Sequence, residues 1–295
     1  MSKPRVLPTI LLTLFLFCQG ADSGSAQGIV LTDDVQMTLG DAFIAEKDYY
    51  RAITEYKRLI ILFPDSARLP EALYWIGMAY YQGKDYTSAA QSFAKVRQTY
   101  AADYFSSAAF HEGLCYEKLG RHDAAALAYE RARLYDINHP DAANAHVGLI
   151  LNAAEQDNLG KTRSELKNFQ FNYPQDERST GIQDAFNLLD AFETQPKKSP
   201  ALAGTMSAVI PGSGQAYAGN YQDGMMAFLV NGLFIAGTVA AIDNENYALA
   251  GIVGGVGLPF YVGNIYGASK AARKWNLSLT HQLRNDLAMT LDFKF

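Results

Sequence analysis

From about residue 33 to residue 195 the apolar positions recur in blocks, each short block followed by a polar or glycine-containing break. Four stretches align on a glycine: "LGDAFIAEKDYYRAITEYKRLIILFP", "IGMAYYQGKDYTSAAQSFAKVRQTYA", "EGLCYEKLGRHDAAALAYERARLYDI" and "VGLILNAAEQDNLGKTRSELKNFQFNYP". The anchors are Gly40, Gly77, Gly113 and Gly148, at steps of 37, 36 and 35. A period of this size marks stacked supersecondary units that bury a core only together. The breaks "AEKDY", "QGKDY" and "LGRHD" carry the turn chemistry of a short helix–helix connection. Beyond residue 200 the pattern changes. Gly224–Ile242 and Tyr247–Ala268 are uncharged runs of 19 and 22 residues, joined only by "DNEN". Each is long enough to cross about 30 Å of hydrocarbon as a helix.

Three of the four repeats place an aromatic three residues after the glycine (Phe43, Tyr80, Tyr116), alanine at plus twelve (Ala52, Ala89, Ala125) and a second aromatic at plus sixteen (Tyr56, Phe93, Tyr129). This register resembles the tetratricopeptide repeat. The fourth copy is degenerate, with Leu151 in the first aromatic slot, and Thr180–Thr194 reads as a closing helix. The resemblance implies an α-solenoid whose concave face is lined by the first helix of each pair. Its groove-facing slots fall on Tyr74, Met78, Tyr81, Gln82, Phe110, Leu114, Glu117 and Lys118. Such a surface is expected to hold a protein or peptide partner. The segment "FPDSARLPEALYWIGMAYY" is similar to repeats of bacterial envelope proteins, notably outer-membrane assembly lipoproteins and periplasmic Tol-associated proteins.

The first residues agree with an envelope destination. Lys3 and Arg5 precede an apolar run from Val6 to Phe17, then small residues, which is the layout of a secretory signal peptide over 1–26. Phe17 before Cys18 argues against a lipidation signal. After cleavage Cys115 is the single cysteine, so no internal disulfide is expected.

The stretch "SAVIPGSGQAYAGNYQDG" tests for catalysis. It lacks the third glycine of a dinucleotide fingerprint, the lysine of a phosphate loop and the flanking glycines of a nucleophile elbow. Pro211, Gly212, Gly214, Gln215 and Tyr217 are instead expected to form a turn in a membrane domain over 201–275, after a linker at 196–200. From Ser199 to Asn276 the chain resembles small bacterial membrane domains with a Pro-Gly-x-Gly-Gln-x-Tyr turn before a helical hairpin. The fold class is therefore all-α, a repeat solenoid followed by a helical transmembrane hairpin. Gly251, Gly255, Gly263 and Gly267 are expected to let the two spans touch, with Asn231 and Asn264 hydrogen-bonding across them and Pro259 kinking the second. Self-association through these spans is left open.

Whether Ala201–Ala218 dips into the bilayer or crosses it separates two spans from three. Lys270, Arg273 and Lys274 tip the balance slightly to three by the positive-inside tendency. The tail 276–295 ends in "LAMTLDFKF", whose alternation at Met289, Leu291, Phe293 and Phe295 predicts a short strand.

A net charge of −5 argues against nucleic acid. The five histidines lack metal-ligand spacing, and no cofactor, metal or catalytic role is expected. The functional expectation is a membrane-anchored scaffold, in the inner membrane with its repeats in the periplasm, outer-membrane association being the lesser option. The competing expectation is a small oligomeric channel or transport component with the repeats as an assembly handle. An envelope-assembly role ranks third.

Overall fold

The computed structural model describes residues 31–99 and 104–293. The signal-peptide reading of 1–26 falls outside the described residues. Four antiparallel helix pairs open the fold: α1 (Asp33–Ala45) with α2 (Tyr49–Leu62), α3 (Leu69–Gln82) with α4 (Tyr86–Thr99), α5 (Phe105–Lys118) with α6 (His122–Tyr135), and α7 (Pro140–Glu155) with α8 (Leu159–Asn172). A 3₁₀ turn (Glu177–Gly181) leads to α9 (Ile182–Glu193). The remainder is α10 (Pro200–Val209), the short α11 (Ser213–Tyr217), α12 (Tyr221–Asp243) and α13 (Tyr247–Thr290).

The turn inside each pair repeats one conformation. Lys47, Lys84, Gly120 and Asp157 have φ of 61°, 64°, 68° and 56°. In three of the four pairs an acidic or amide side chain then caps the next helix. Asp48 accepts from the Arg51 amide, Asp85 from Ser88 and Asn158 from Lys161, at 3.0–3.1 Å. These caps satisfy amides that a helix start leaves unpaired. The same device joins the apolar helices: Glu245 has φ 56° and Asn246 caps Leu249 at 3.2 Å.

The glycine register explains the close helix approach. Cβ atoms added at Gly40, Gly77 and Gly113 would stand 2.3, 2.7 and 2.5 Å from the rings of Tyr56, Phe93 and Tyr129. Each glycine thus seats the aromatic sixteen residues later, and all three rings are fully buried. The degenerate fourth copy has no aromatic at plus sixteen, and Gly148 borrows Tyr129, with a hypothetical Cβ 2.8 Å from that ring.

Helix α13 corrects the division of the C-terminal third. It runs unbroken for 44 residues with Pro259 inside it. No strand occurs among the described residues: the helix continues to Thr290. Leu283, Leu287 and Leu291, four apart, are buried, while Met289 is exposed, so the 3.6-residue period overrides the alternation read from "LAMTLDFKF". These leucines join one apolar cluster with Leu149, Ile150, Leu189 and Phe192, so the tail is part of the repeat core.

Candidate functional site

Three of the eight expected groove residues face the chain's own tail. Phe110 meets Phe293 edge-on, with ring centroids 6.3 Å apart. Leu114 belongs to the cluster that holds the tail leucines. Glu117 Oε2 lies 3.2 Å from Arg284 Nη2, whose Nε is 3.5 Å from Glu155 Oε2. His281 Nδ1 adds a contact to Glu155 Oε1 at 2.8 Å. Burial raises the Glu117 carboxyl above its ordinary 4.5, against the pull of Arg284. An open groove along α5 is therefore corrected: α13 fills it in cis. Local pattern could not show this, because the occupant lies 167 residues from Glu117 in the chain.

The other expected groove positions lie beyond the tail. Tyr74 is half-buried among Phe93, Tyr104 and His111, its hydroxyl 3.2 Å from His111 Nδ1. Tyr81 packs 5.5 Å from Tyr86, and burial pushes its hydroxyl up to about 12. Met78 is half-buried, whereas Gln82 and Lys118 are exposed. Sequence reasoning missed His111, which contacts Tyr74, Tyr81, Phe93 and Phe110 and so joins both ends of this face. Its burial lowers the imidazole below the ordinary 6.5. Cys115 is buried, and its thiol is pushed up to about 12, which removes thiolate chemistry at neutral pH. No cluster of three metal-ligating side chains occurs among the described residues.

The Pro-Gly-Ser-Gly-Gln turn is a buried polar knot. Gly212 has φ 85°, and an added Cβ would sit 1.9 Å from the Gly224 carbonyl oxygen. At Gly214 the added atom would be 1.8 Å from the Ala203 carbonyl oxygen. Ser207 Oγ donates to Gln215 Oε1 at 2.7 Å and accepts from the Gly214 amide at 3.0 Å. The Gln215 amide donates to Asn264 Oδ1 and to the Asn264 backbone oxygen, both at 3.0 Å. Asn264 Nδ2 returns a bond to the Ser207 carbonyl at 2.9 Å, and its Oδ1 also accepts from the Gly212 amide at 3.0 Å. Tyr261 donates to the Ala208 carbonyl. Every named donor finds an acceptor, as burial requires.

This knot corrects three expectations. Asn264 bonds the turn, not Asn231. Asn231 instead donates to the Ala227 carbonyl at 2.8 Å, leaving its buried Oδ1 unpaired. Gly251, Gly255 and Gly263 face open space, and Gly267 lies near Gln215. The α12–α13 seam uses Gly237, Gly254 and Gly257, opposite Val253, Thr238 and Phe234. A four-residue spacing defines a helix face but does not say which face meets the neighbour.

The third correction concerns α10, whose ten residues span about 15 Å, half of a hydrocarbon core. The chain turns at Pro211–Gly212, level with Asn264, and α11 leads back to Tyr217, which receives the Ser199 amide at 3.1 Å. The segment folds back on itself. Its start is clamped too. Lys198 and Asn276 exchange two backbone–side-chain bonds at 2.8 and 2.9 Å, and Lys198 Nζ sits 4.1 Å from the Trp275 ring centre. The expected linker at 196–200 is thus a fixed joint. On the far side of the seam α12 and α13 expose Phe228, Leu233, Val239, Ile252, Leu258 and Val262.

Tetratricopeptide-repeat family profiles match residues 37–104 and 106–132. No curated protein matches the chain. Among solved structures, MamA AMB-1 superposes at TM-score 0.40 with 18% identity over 57% of this chain and 85% of its own. The apo form of RapI gives TM-score 0.47, 13% identity, and coverage of 82% and 63%. A tetratricopeptide repeat protein from Parabacteroides merdae ATCC 43184 gives 0.44, 14%, and 87% and 98%. By profile match and helix pairing, the segment covering residues 37–104 and 106–132 is a tetratricopeptide-repeat array, the fold of a protein–protein interaction scaffold.

Proposed function

We propose that this protein is a membrane-anchored scaffold whose repeats present a protein-binding face outside the cytoplasm of a bacterial cell. The observation that carries the reading is α13: one helix is an apolar, outward-exposed span at its start and a filler of the repeat groove at its end. Anchor and scaffold are one mechanical piece. Two helices exposing large apolar side chains along their length require a non-aqueous cover, and hydrocarbon supplies it. The half-depth α10–α11 hairpin leaves two crossings, so the repeats and the Lys270–Lys274 cluster share a side. The leader sequence sets that side as extracytoplasmic, although the cationic cluster pulls the other way. The partner face is the part of the concave surface that the tail leaves uncovered, around Tyr74, Met78, Tyr81 and Gln82.

Photo-crosslinking in intact cells tests this. A probe at Tyr81 is expected to give an intermolecular adduct, whereas one at Phe110 is expected to link to the chain's own tail. Silence at Tyr81 removes the partner face from the reading. Alkaline carbonate extraction that releases the protein from membranes overturns the anchor. A cysteine placed at Glu245 and labelled from outside the cell overturns the orientation, since the hairpin tip then lies on the exterior side.

A second reading, a small channel or transport component, draws on the unpaired Asn231 Oδ1, which lines a cavity of about 230 Å³ with Phe234, Thr238, Gly257 and Tyr261. Flux through liposomes holding the full-length protein would favour it.

A further inference from the structure

At the base of the apolar hairpin lies a second cavity, of about 290 Å³, lined by Gly219, Asn220, Lys274, Trp275 and Ser278 among others. We propose that it seats the phosphate of an anionic phospholipid headgroup. The inference rests on the membrane reading above and adds a ligand to it.

The level of the cavity is set by the seam. Phe234 stacks on Phe260 at 5.2 Å, and Gly254 stands against Thr238, so the antiparallel register carries the start of α12 to the neighbourhood of Lys270. The uncharged part of α13 ends there, and the cationic part begins with Lys270, Arg273 and Lys274. These three lie within about one helical turn of Lys270, on overlapping faces, and are exposed. None of them forms an ion pair among the described residues. Acids of α5 and α7 meet α13 further along, but His281 and Arg284 take Glu155 and Glu117. An unneutralised cationic triad directly below an apolar belt is matched to a surface carrying negative charge.

The cavity walls give the triad a defined place to deliver that charge. Behind that wall Lys198 donates to the Tyr217 carbonyl at 2.6 Å and stacks on Trp275, which fixes the ring. Gly219 has φ 85°, and a Cβ there would approach the Trp275 ring to 3.3 Å, so the backbone lies close against the indole. The side-chain hydroxyl of Ser278 is held by the Trp275 carbonyl at 2.7 Å. Asp223, the acid in the first turn of α12, is bound by the Asn220 amide at 2.5 Å and does not line the cavity. Trp275 supplies an amphipathic ring at the depth where headgroup and acyl chain meet. A headgroup phosphate seated on Lys274 therefore leaves its glycerol against Trp275 and its chains along the exposed side of α12.

Trp275 also reports on its neighbour, because Trp75 is the one other tryptophan. The Trp75→Phe protein, placed in nanodiscs of phosphatidylcholine with a minority of phosphatidylglycerol, carries one indole. Bromine is attached high on the acyl chains of either lipid. Brominated phosphatidylglycerol is expected to quench Trp275 several-fold more, per mole fraction, than brominated phosphatidylcholine. Lys270→Gln and Lys274→Gln are each expected to reduce that preference about fivefold, without altering helix content. Equal quenching by both lipids overturns the headgroup site while leaving the anchor intact. Absence of quenching by either lipid, with protein outside the nanodisc fraction, overturns the anchor itself. Loss of the preference in millimolar inorganic phosphate at constant ionic strength identifies a free-phosphate site and overturns the lipid assignment.

Discussion

A Cβ added at Gly77 meets the edge of the Phe93 ring at 2.7 Å, whereas one added at Gly214 meets the Ala203 carbonyl oxygen at 1.8 Å. The repeats and the apolar half both use glycine for close packing, but for different neighbours. In the repeats water drives packing, and each glycine clears room for a large ring whose burial is the stabilising term. In the apolar half the central cluster is Ala203, Ala218, Ala268 and Ala272, with no large side chain at its centre. There, backbone contact and the amide knot of Gln215 and Asn264 hold the helices, the mode of packing that a lipid surrounding would favour under the proposed function. The lesson is that one residue type carries two meanings, and the neighbour decides between them.

The comparison breaks most sharply at Gly214. Gly214→Ala is expected to cost more than about 4 kcal/mol, because the obstacle is a backbone atom and cannot rotate away. Size-exclusion chromatography in detergent should show loss of the monodisperse species. A monodisperse variant of unchanged midpoint would show that the knot is not close-packed.

Next in size is the joint between the halves. Leu287 is fully buried against the repeats, so Leu287→Ala is expected to cost about 2–5 kcal/mol. Limited proteolysis should then cut within the last turns of α13 before it cuts the hairpin. Unchanged protection would detach the tail from the repeat core.

A smaller effect sharpens the contrast by rescue. Gly77→Ala is expected to cost about 1–3 kcal/mol by overpacking. Phe93→Leu in the same chain should recover part of that loss, since here the obstacle is a side chain. Urea midpoints of the single and double variants measure the coupling. Additive losses would place the strain elsewhere.

The smallest effect is electrostatic and confined to the repeats. Glu165 is held below the ordinary 4.5 by its hydrogen bond from His146, Nε2 to Oε2 at 3.1 Å. A depressed carboxyl contributes stability that is present above its unfolded value and is lost as pH falls through the folded one. The midpoint difference between wild type and Glu165→Gln should therefore be largest near neutrality and shrink as pH falls below the ordinary 4.5. A difference that persists in acid would assign it to packing.

What could be read in advance divides along the same line. The plus-sixteen register of Gly40 with Tyr56 and Gly77 with Phe93 was legible because both partners lie within one repeat and recur. The Pro-Gly-Ser-Gly-Gln stretch was legible as a turn, but Asn264, which completes it, lies 52 residues beyond Gly212 and carries no mark of that role. The seam glycines were misassigned because Gly254 and Gly257 interleave with Gly251 and Gly255, and spacing alone favours both faces equally. The tail carried two periods at once, alternation at Met289, Leu291 and Phe293 and a four-residue step at Leu283, Leu287 and Leu291. The apolar side chains of α7 and α9 and the acids waiting on α5 and α7 decide between them.

The closure of the groove by α13 also imposes an order in time. Phe110, Leu114 and Glu117 are translated long before Leu283, Arg284 and Phe293, and domains condense from the N-terminus as the chain emerges. The repeats must therefore wait, with an uncovered apolar face and a buried-to-be carboxylate still solvated, until the hairpin has been made and the last helical turns arrive. A chain halted before Leu283 would keep that face uncovered. Completion of the groove is thus a record that synthesis has passed the segment from Leu283 to Phe293.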